Sequence, residues 1–359
     1  MLPADTKGSN ARSRRDVLRV SGLAILTAAG GLKIGRAFAE EAAPPQITIA
    51  IIGDANTGTW ASLRASVTGR PLDAELGTKV IWQPGFTASL PVMEAVRAGG
   101  VDFTFATATA IVNAVGAGVP IVPLAAFPLP VDEVDLIVAA NSPIKSAADL
   151  KGKKVAHQNG TTGTYSLIKF LESGGLRLPD VQAVSLSGAD AFTAFAQGSV
   201  DAWIHWQPTA ALALAKLGEK ARVLPGVKTY DYAFYVAHPK LAEKHTVAAA
   251  KLVRSIRDTQ AYINAHPDET VALWASKGGF APNSPEQSVY RQLIIDKRLS
   301  ESPAAGLGPV DAAAAASTQD LADNFQALGV LPNKVDVRAF LLSPRFDQIK
   351  SIVAAELGA

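Results

Sequence analysis

The chain has 359 residues, is 48% hydrophobic, and carries 34 Lys/Arg against 32 Asp/Glu with no cysteine. The missing cysteine excludes disulfides, thiolate metal sites, a cysteine nucleophile and a lipid-modified cysteine anchor. The fold must therefore be held by an apolar core, and a chain of this length can build one over two lobes.

The first element in chain order is a leader. "SRRDVLR" places Arg14 and Arg15 ahead of a weakly apolar stretch, Val20 to Leu32, which ends at a small-x-small site, Ala37-Phe38-Ala39. That order of charged, apolar and cleavable regions predicts an export signal over residues 1–39. The paired arginines point to the twin-arginine route, which carries folded cargo to the periplasm. The apolar run is too short to span a bilayer. Removing the leader takes Lys/Arg from 34 to 27 and Asp/Glu from 32 to 30, so the formal charge moves from +2 to −3. The basic character belongs to the leader, and nothing in the mature chain predicts a nucleic-acid partner.

Strands are then expected at Gln46 to Ile52, Lys79 to Gln83, Val101 to Ala106 and Pro120 to Phe127, with helical spacing between them. This pattern implies crossover connections and a largely parallel sheet. No charge occurs from Phe103 to Val131, but Pro120, Pro123, Pro128 and Pro130 would break a spanning helix. The stretch reads as strand, short helix, strand. Past His245 long helices dominate, including Thr246 to Ala265 and Pro309 to Leu328.

The chain repeats itself. "MEAVRAGGVDFTFAT" (Met93 to Thr107) aligns without gaps on "FTAFAQGSVDAWIHW" (Phe192 to Trp206), at an offset of 99 residues. "TGTWASL" from Thr57 matches "TGTYSL" from Thr162, each after a strand and opening a helix. Two related α/β lobes follow, with strand ends lining one shared cleft, since open α/β sheets bind ligands outside the carboxyl ends of their strands. Trp206 then occupies the position that Thr107 holds in the first lobe. Alternation puts Trp203 and His205 on one strand face and Trp206 on the other.

The two TGT turns are the candidate anion sites. Glycine lets the backbone approach a ligand, and the first helical amides are unpaired and at the positive end of the helix dipole. Asn56, Thr57, Gly58 and Thr59 form the first-lobe turn, with Thr107 and Thr109 at the next strand end. Thr161, Thr162, Gly163 and Thr164 form the second-lobe turn, with the threonine hydroxyls read as added donors. Trp206 and Tyr232 complete the expected wall, and Tyr230 is a further aromatic there. No catalytic constellation, metal-ligand spacing or cofactor motif is found: the five histidines are scattered, and neither HExxH, GxSxG nor a P-loop occurs.

"NSPIKSAADLKGKKVAHQNG" (Asn141 to Gly160), "ADAFTAFAQGSVDAWIHWQP" (Ala189 to Pro208), "FYVAHPKLAEKH" (Phe234 to His245) and "LPNKVDVRAFL" (Leu331 to Leu341) together resemble solute-binding proteins of ABC importers, in the aliphatic sulfonate, taurine and nitrate group. The resemblance implies an α/β type II periplasmic-binding fold. Lobe 1 would hold residues 45–134 and 236–359, lobe 2 residues 135–235, and crossing segments near Asp135 to Ala140 and Phe234 to Ala237 would form the hinge. It implies capture of a small organic anion by lobe closure, a monomer, and an ABC permease of the inner membrane as partner. Close members carry aspartates where this chain has Gln207 and, by our alignment, Ala108. Their loss predicts a ligand with anionic and apolar parts rather than a zwitterion. An alkanesulfonate-like compound leads; nitrate, an organic carboxylate and a neutral heterocycle stay open. So does an enzyme on the same fold, desulfinase-like or pyrimidine-precursor synthase-like, although the desulfinase route needs a cysteine.

Overall fold

β-Branched alternation builds the first strand, β1 (Gln46–Ile52), whose isoleucines at 47 and 49 are fully buried. The computed structural model describes residues 42–67 and 69–358, so the proposed leader lies outside the described residues. The chain continues through α1 (Gly58–Ala65), α2 (Leu72–Leu76), β2 (Lys79–Phe86), α3 (Ser89–Arg97), β3 (Phe103–Thr107), α4 (Ala108–Gly116) and β4 (Val122–Pro128). It then enters a second layer: β5 (Val134–Ala139), β6 (Lys154–His157), α5 (Thr162–Ser173), β7 (Gln182–Ser185), α6 (Gly188–Ala196), β8 (Ala202–Trp206), α7 (Thr209–Leu217) and β9 (Ala221–Leu224). β10 (Tyr232–Ala237) follows, then α8 (Pro239–Ala242), α9 (Thr246–Ala265), α10 (Pro267–Ser276), α11 (Pro285–Ile295), α12 (Ala312–Ala327), α13 (Val337–Leu341) and α14 (Asp347–Leu357).

The strands form two five-stranded sheets, ordered β2-β1-β3-β10-β4 and β7-β6-β8-β5-β9. In each, three strands run parallel, and a strand next to the crossover runs antiparallel beside the third: β10 against β3 and β4, β5 against β8 and β9. The sheets are therefore mixed, because the chain must pass from one lobe to the other and back. The internal repeat is realised element for element. α3 and α6, and likewise β3 and β8, have the same lengths and stand 99 residues apart.

The links between the sheets are residues 129–133 and 225–231. The expected hinge segments, Asp135 to Ala140 and Phe234 to Ala237, lie almost wholly in strands. Residues 232–235, read from sequence as second-lobe, belong to the first sheet, where Tyr235 packs among Trp60, Phe103, Phe105 and Phe127. That pairing joins parts of the chain far apart in sequence and has no local signature.

Apolar residues cover both faces of each sheet. Ile47, Ile49, Phe103 and Leu124 pack under α9 and α14 on one side of the first sheet, while on the other Phe234 clusters with Val92 of α3, Ile111 of α4 and Phe325 of α12. Trp203 is fully buried in the second lobe with Ile137, Ala156, Phe195 and Ala210. No helix among the described residues is long and apolar enough to cross a membrane.

Candidate functional site

The carboxyl ends of β1 and β6 each give way to a turn and a helix, and these turns sit on a cleft of about 1120 Å³ lined by residues of both lobes. On the first-lobe side Thr57 is the N-cap of α1 and Thr107 the N-cap of α4. Gly58 holds φ +80°, a backbone that L side chains rarely adopt, and a Cβ there would stand 2.8 Å from Glu301 Cγ. Glycine is thus required by both backbone and neighbour. The Thr57 hydroxyl is hydrogen-bonded to the Tyr290 phenol. Thr59 is 1% exposed, lines the cleft, and has no hydrogen-bond partner for its hydroxyl among the described residues.

On the second-lobe side the turn after β6 is built on itself. The Thr161 hydroxyl donates to the Gln158 carbonyl at 2.6 Å, and the Thr164 hydroxyl donates to the same carbonyl at 2.7 Å. His157 Nδ1 lies 3.0 Å from Thr164 Oγ1; since that hydroxyl's proton is committed, the histidine is the donor. Burial lowers the His157 pKa, consistent with a neutral ring. Thr162 Oγ1 donates to Asp231 Oδ2 at 2.7 Å. The three hydroxyls read from sequence as ligand donors are therefore spent within the protein. What the turn offers an anion is its amides at Thr161 and Thr162, the two turn residues on the cleft wall, which precede the first intrahelical bond from Tyr165 N–H to the Thr161 carbonyl.

Of the expected wall, Thr57, Thr59, Thr107, Thr161, Thr162 and Trp206 line the cleft. Asn56, Gly58, Thr109, Gly163, Thr164 and Tyr232 do not. Thr109 is buried, 2.7 Å from Thr107 Oγ1, and Asn56 accepts from Arg64. Tyr230 is exposed. Trp206 is half-buried, and its Cε3 lies 3.9 Å from where a Gly163 Cβ would be, so the ring stands over the start of α5. It stacks on His205 with centroids 3.9 Å apart, although alternation assigns these neighbours to opposite faces; the strand ends at Trp206 and releases it. His205 Nδ1 bonds the Trp206 carbonyl at 3.1 Å, and burial lowers its pKa to about 4, so it is a neutral structural group.

Sequence reasoning missed the buried acids. Asp231, in the link back to the first lobe, accepts from Thr162 Oγ1, from Tyr232 N–H at 2.7 Å, and from Ala108 N–H at the start of α4. One carboxylate thus ties a first-lobe helix to a second-lobe helix. Burial raises its pKa to about 7, against these three hydrogen bonds. Asp135 accepts from Arg298 Nη2 at 2.9 Å to each oxygen and from Gln207 Nε2 at 2.7 Å. An acid in place of Gln207 would face Asp135 instead of donating to it. Glu133 and Glu301 line the cleft itself. Among the described residues no cluster of His, Cys, Asp or Glu is arranged to hold a metal ion.

Two lobes, a shared cleft and paired helix starts can be compared with known proteins. The NMT1/THI5-like family pattern matches residues 75–270. The chain belongs to the NMT1/THI5-like family. A protein of Escherichia coli (strain K12) named for binding aliphatic sulfonates is 32% identical over 270 residues, covering 74% of this chain and 80% of that one. The crystal structure of the periplasmic aliphatic sulphonate binding protein SsuA from Escherichia coli is similar with a TM-score of 0.68 at 29% identity, over 82% of this chain and 91% of that one. The alkanesulfonate-binding protein SsuA from Xanthomonas axonopodis pv. citri, solved bound to MOPS, has a TM-score of 0.69 at 25% identity, over 82% and 97%. The fold is the two-lobed type II periplasmic-binding fold.

Proposed function

We propose that this protein is the solute-binding component of an ABC importer, and that it captures an alkanesulfonate-like ligand in the cleft by closure of the two lobes. The observation that carries the reading is the juxtaposition at one cleft of the α5 start at Thr161 and Thr162, with Trp206 standing beside it, and Thr59 on the α1 turn opposite. A tetrahedral oxyanion takes hydrogen bonds from amides and hydroxyls without needing a formal cation, and the apolar faces of Trp206, Phe105 and Phe192 suit an organic tail. The relatives named for sulfonates, one of them seen with MOPS, support this choice of head group. Ligand touching both lobes selects the shut form, and the permease reads that form.

In this reading the protein is a monomer that works in the periplasm after export by the twin-arginine route; the support for the route is the Arg14-Arg15 leader. It binds rather than transforms. A desulfinase-type step needs a cysteine nucleophile, and the chain has none. The test is calorimetric titration with ethane-, propane- and butanesulfonate beside nitrate, alkanoates and thiamine-precursor pyrimidines. Saturable sulfonate binding with a raised melting temperature is expected. Binding confined to nitrate or to the pyrimidines would overturn the reading.

A further inference from the structure

Two residues of the cleft wall carry a buried polar atom without a partner among the described residues: Thr59, through its hydroxyl, and Trp203, through its indole Nε1. Thr59 belongs to the anion end. Trp203 does not. It is fully buried, three residues before Trp206, about 10 Å back along β8 at roughly 3.3 Å per residue. There the cleft reaches between α6 and α7, where Gly188, Phe192, Leu212 and Ala213 line it. His205, also on the wall, stands beside Trp203 with ring centroids 5.5 Å apart. Its Nδ1 faces the Trp206 carbonyl, which can only accept, so Nδ1 carries the proton and Nε2 holds a lone pair. With its pKa lowered to about 4 by burial, the ring stays neutral and keeps that lone pair. Gly188 leaves space at this nitrogen. Its backbone is not left-handed, so the backbone tolerates any residue, yet a Cβ there would stand 2.7 Å from His205 Nε2.

We propose that Trp203 Nε1, His205 Nε2 and the space at Gly188 form a tail subsite in the second lobe, which selects sulfonates carrying a hydroxyl several carbons from the head group. The two ring nitrogens are complementary, one donor and one acceptor. A hydroxyl serves both, accepting from the indole N–H and donating to the imidazole. A second anionic group would face the lone pair of Nε2, an ammonium would face the indole N–H, and a plain alkyl end would leave a buried donor unpaired. The apolar faces of Phe192 and Leu212 suit the carbons between head and hydroxyl. Because the rings follow one another from Trp206 at the α5 start through His205 to Trp203, a hydroxyl on a two-carbon sulfonate falls short.

The inference rests on the sulfonate reading of the cleft, and the experiment separates the two. Alkanesulfonates of two to eight carbons and their ω-hydroxy analogues are titrated by calorimetry into wild type, Trp203→Phe and Gly188→Ala. In wild type at least one hydroxy member longer than two carbons should bind about tenfold or more tightly than its parent, the worth of pairing a buried orphan group. Trp203→Phe keeps a ring but removes the donor, and Gly188→Ala sets a methyl against the acceptor, so each should bring that ratio towards one. The ratio is taken within one protein, which cancels a general loss of stability. Nitrogen-15 spectra of the wild-type indoles give a readout that needs no folded variant: one indole N–H signal should differ between the complexes of the hydroxy member and its parent. Equal affinities throughout the wild-type series overturn the subsite, as do identical indole spectra or a preference that persists in either variant. If neither series binds, the sulfonate reading falls. The comparison is then made with alkanoates and their ω-hydroxy analogues, and no preference there overturns the subsite as well.

Discussion

Asp231 offers a direct test of how the lobes are tied. Its pKa rises from an ordinary 3.8 to about 7 because burial outweighs three hydrogen bonds. A carboxyl with a raised folded-state pKa binds its proton more tightly folded than unfolded. Its contribution to stability is complete below about 3.8 and is lost as pH climbs through about 7. At about 1.4 kcal/mol per pH unit the full loss is about 4 kcal/mol, of which about 3 kcal/mol falls between pH 5 and 8. For a protein of this size that is a fall in melting temperature of roughly 5 °C. Asp231→Asn cannot ionise, so its melting temperature should decline by that much less over the same range. It also loses acceptor capacity toward Thr162, Tyr232 and Ala108, which lowers stability at acid pH. The two curves should therefore converge or cross as pH rises. The assay is thermal denaturation in matched-ionic-strength buffers from pH 5 to 8.5. Glu133 and Glu301, raised in the same direction, add slope of the same sign to both proteins, so the difference between the curves is the readout. Parallel curves would refute the assignment of a protonated, lobe-bridging carboxyl.

Three further outcomes are expected. Trp203→Ala, which empties a fully buried site, should cost about 3–5 kcal/mol in chemical denaturation, whereas Trp206→Ala should cost less and weaken binding of the proposed ligand more. Thr162→Val should destabilise the fold by roughly 1.5–3 kcal/mol through loss of its bond to Asp231, and an affinity loss with unchanged stability would show instead that the hydroxyl serves the ligand. Gln207→Asp should lower stability by about 2 kcal/mol or more by setting two acids together, and Asp135→Asn in the same chain should restore part of it in a double-mutant cycle.

Much of the fold is legible because it is local. The alternation of Gln46–Ile52 and the helical spacing of Thr246–Ala265 give those elements their observed limits, and the 99-residue repeat anticipates the matched α3–β3 and α6–β8 pairs. What escapes is non-local. The segment expected to cross between lobes at Phe234 to Ala237 is part of β10, and nothing in its residues says that it inserts between β3 and β4. The turns are legible as helix starts, whereas the destination of each threonine proton depends on the Gln158 carbonyl and on Asp231. Nothing in "VDEVD", residues 131–135, signals that Glu133 and Asp135 are buried, since the partner of Asp135, Arg298, lies 163 residues away.

The place of β10 also constrains how the molecule can be made. During synthesis β3 and β4 emerge early, yet they do not pair with each other, and the strand that joins them arrives after every strand of the other sheet. The second lobe can finish folding while the first still waits with two open edges, and a nascent chain stopped just short of residue 232 would present both. Slow translation beyond that point, or a truncation before it, exposes this protein to edge-to-edge association in a way that a chain with two consecutive domains would avoid.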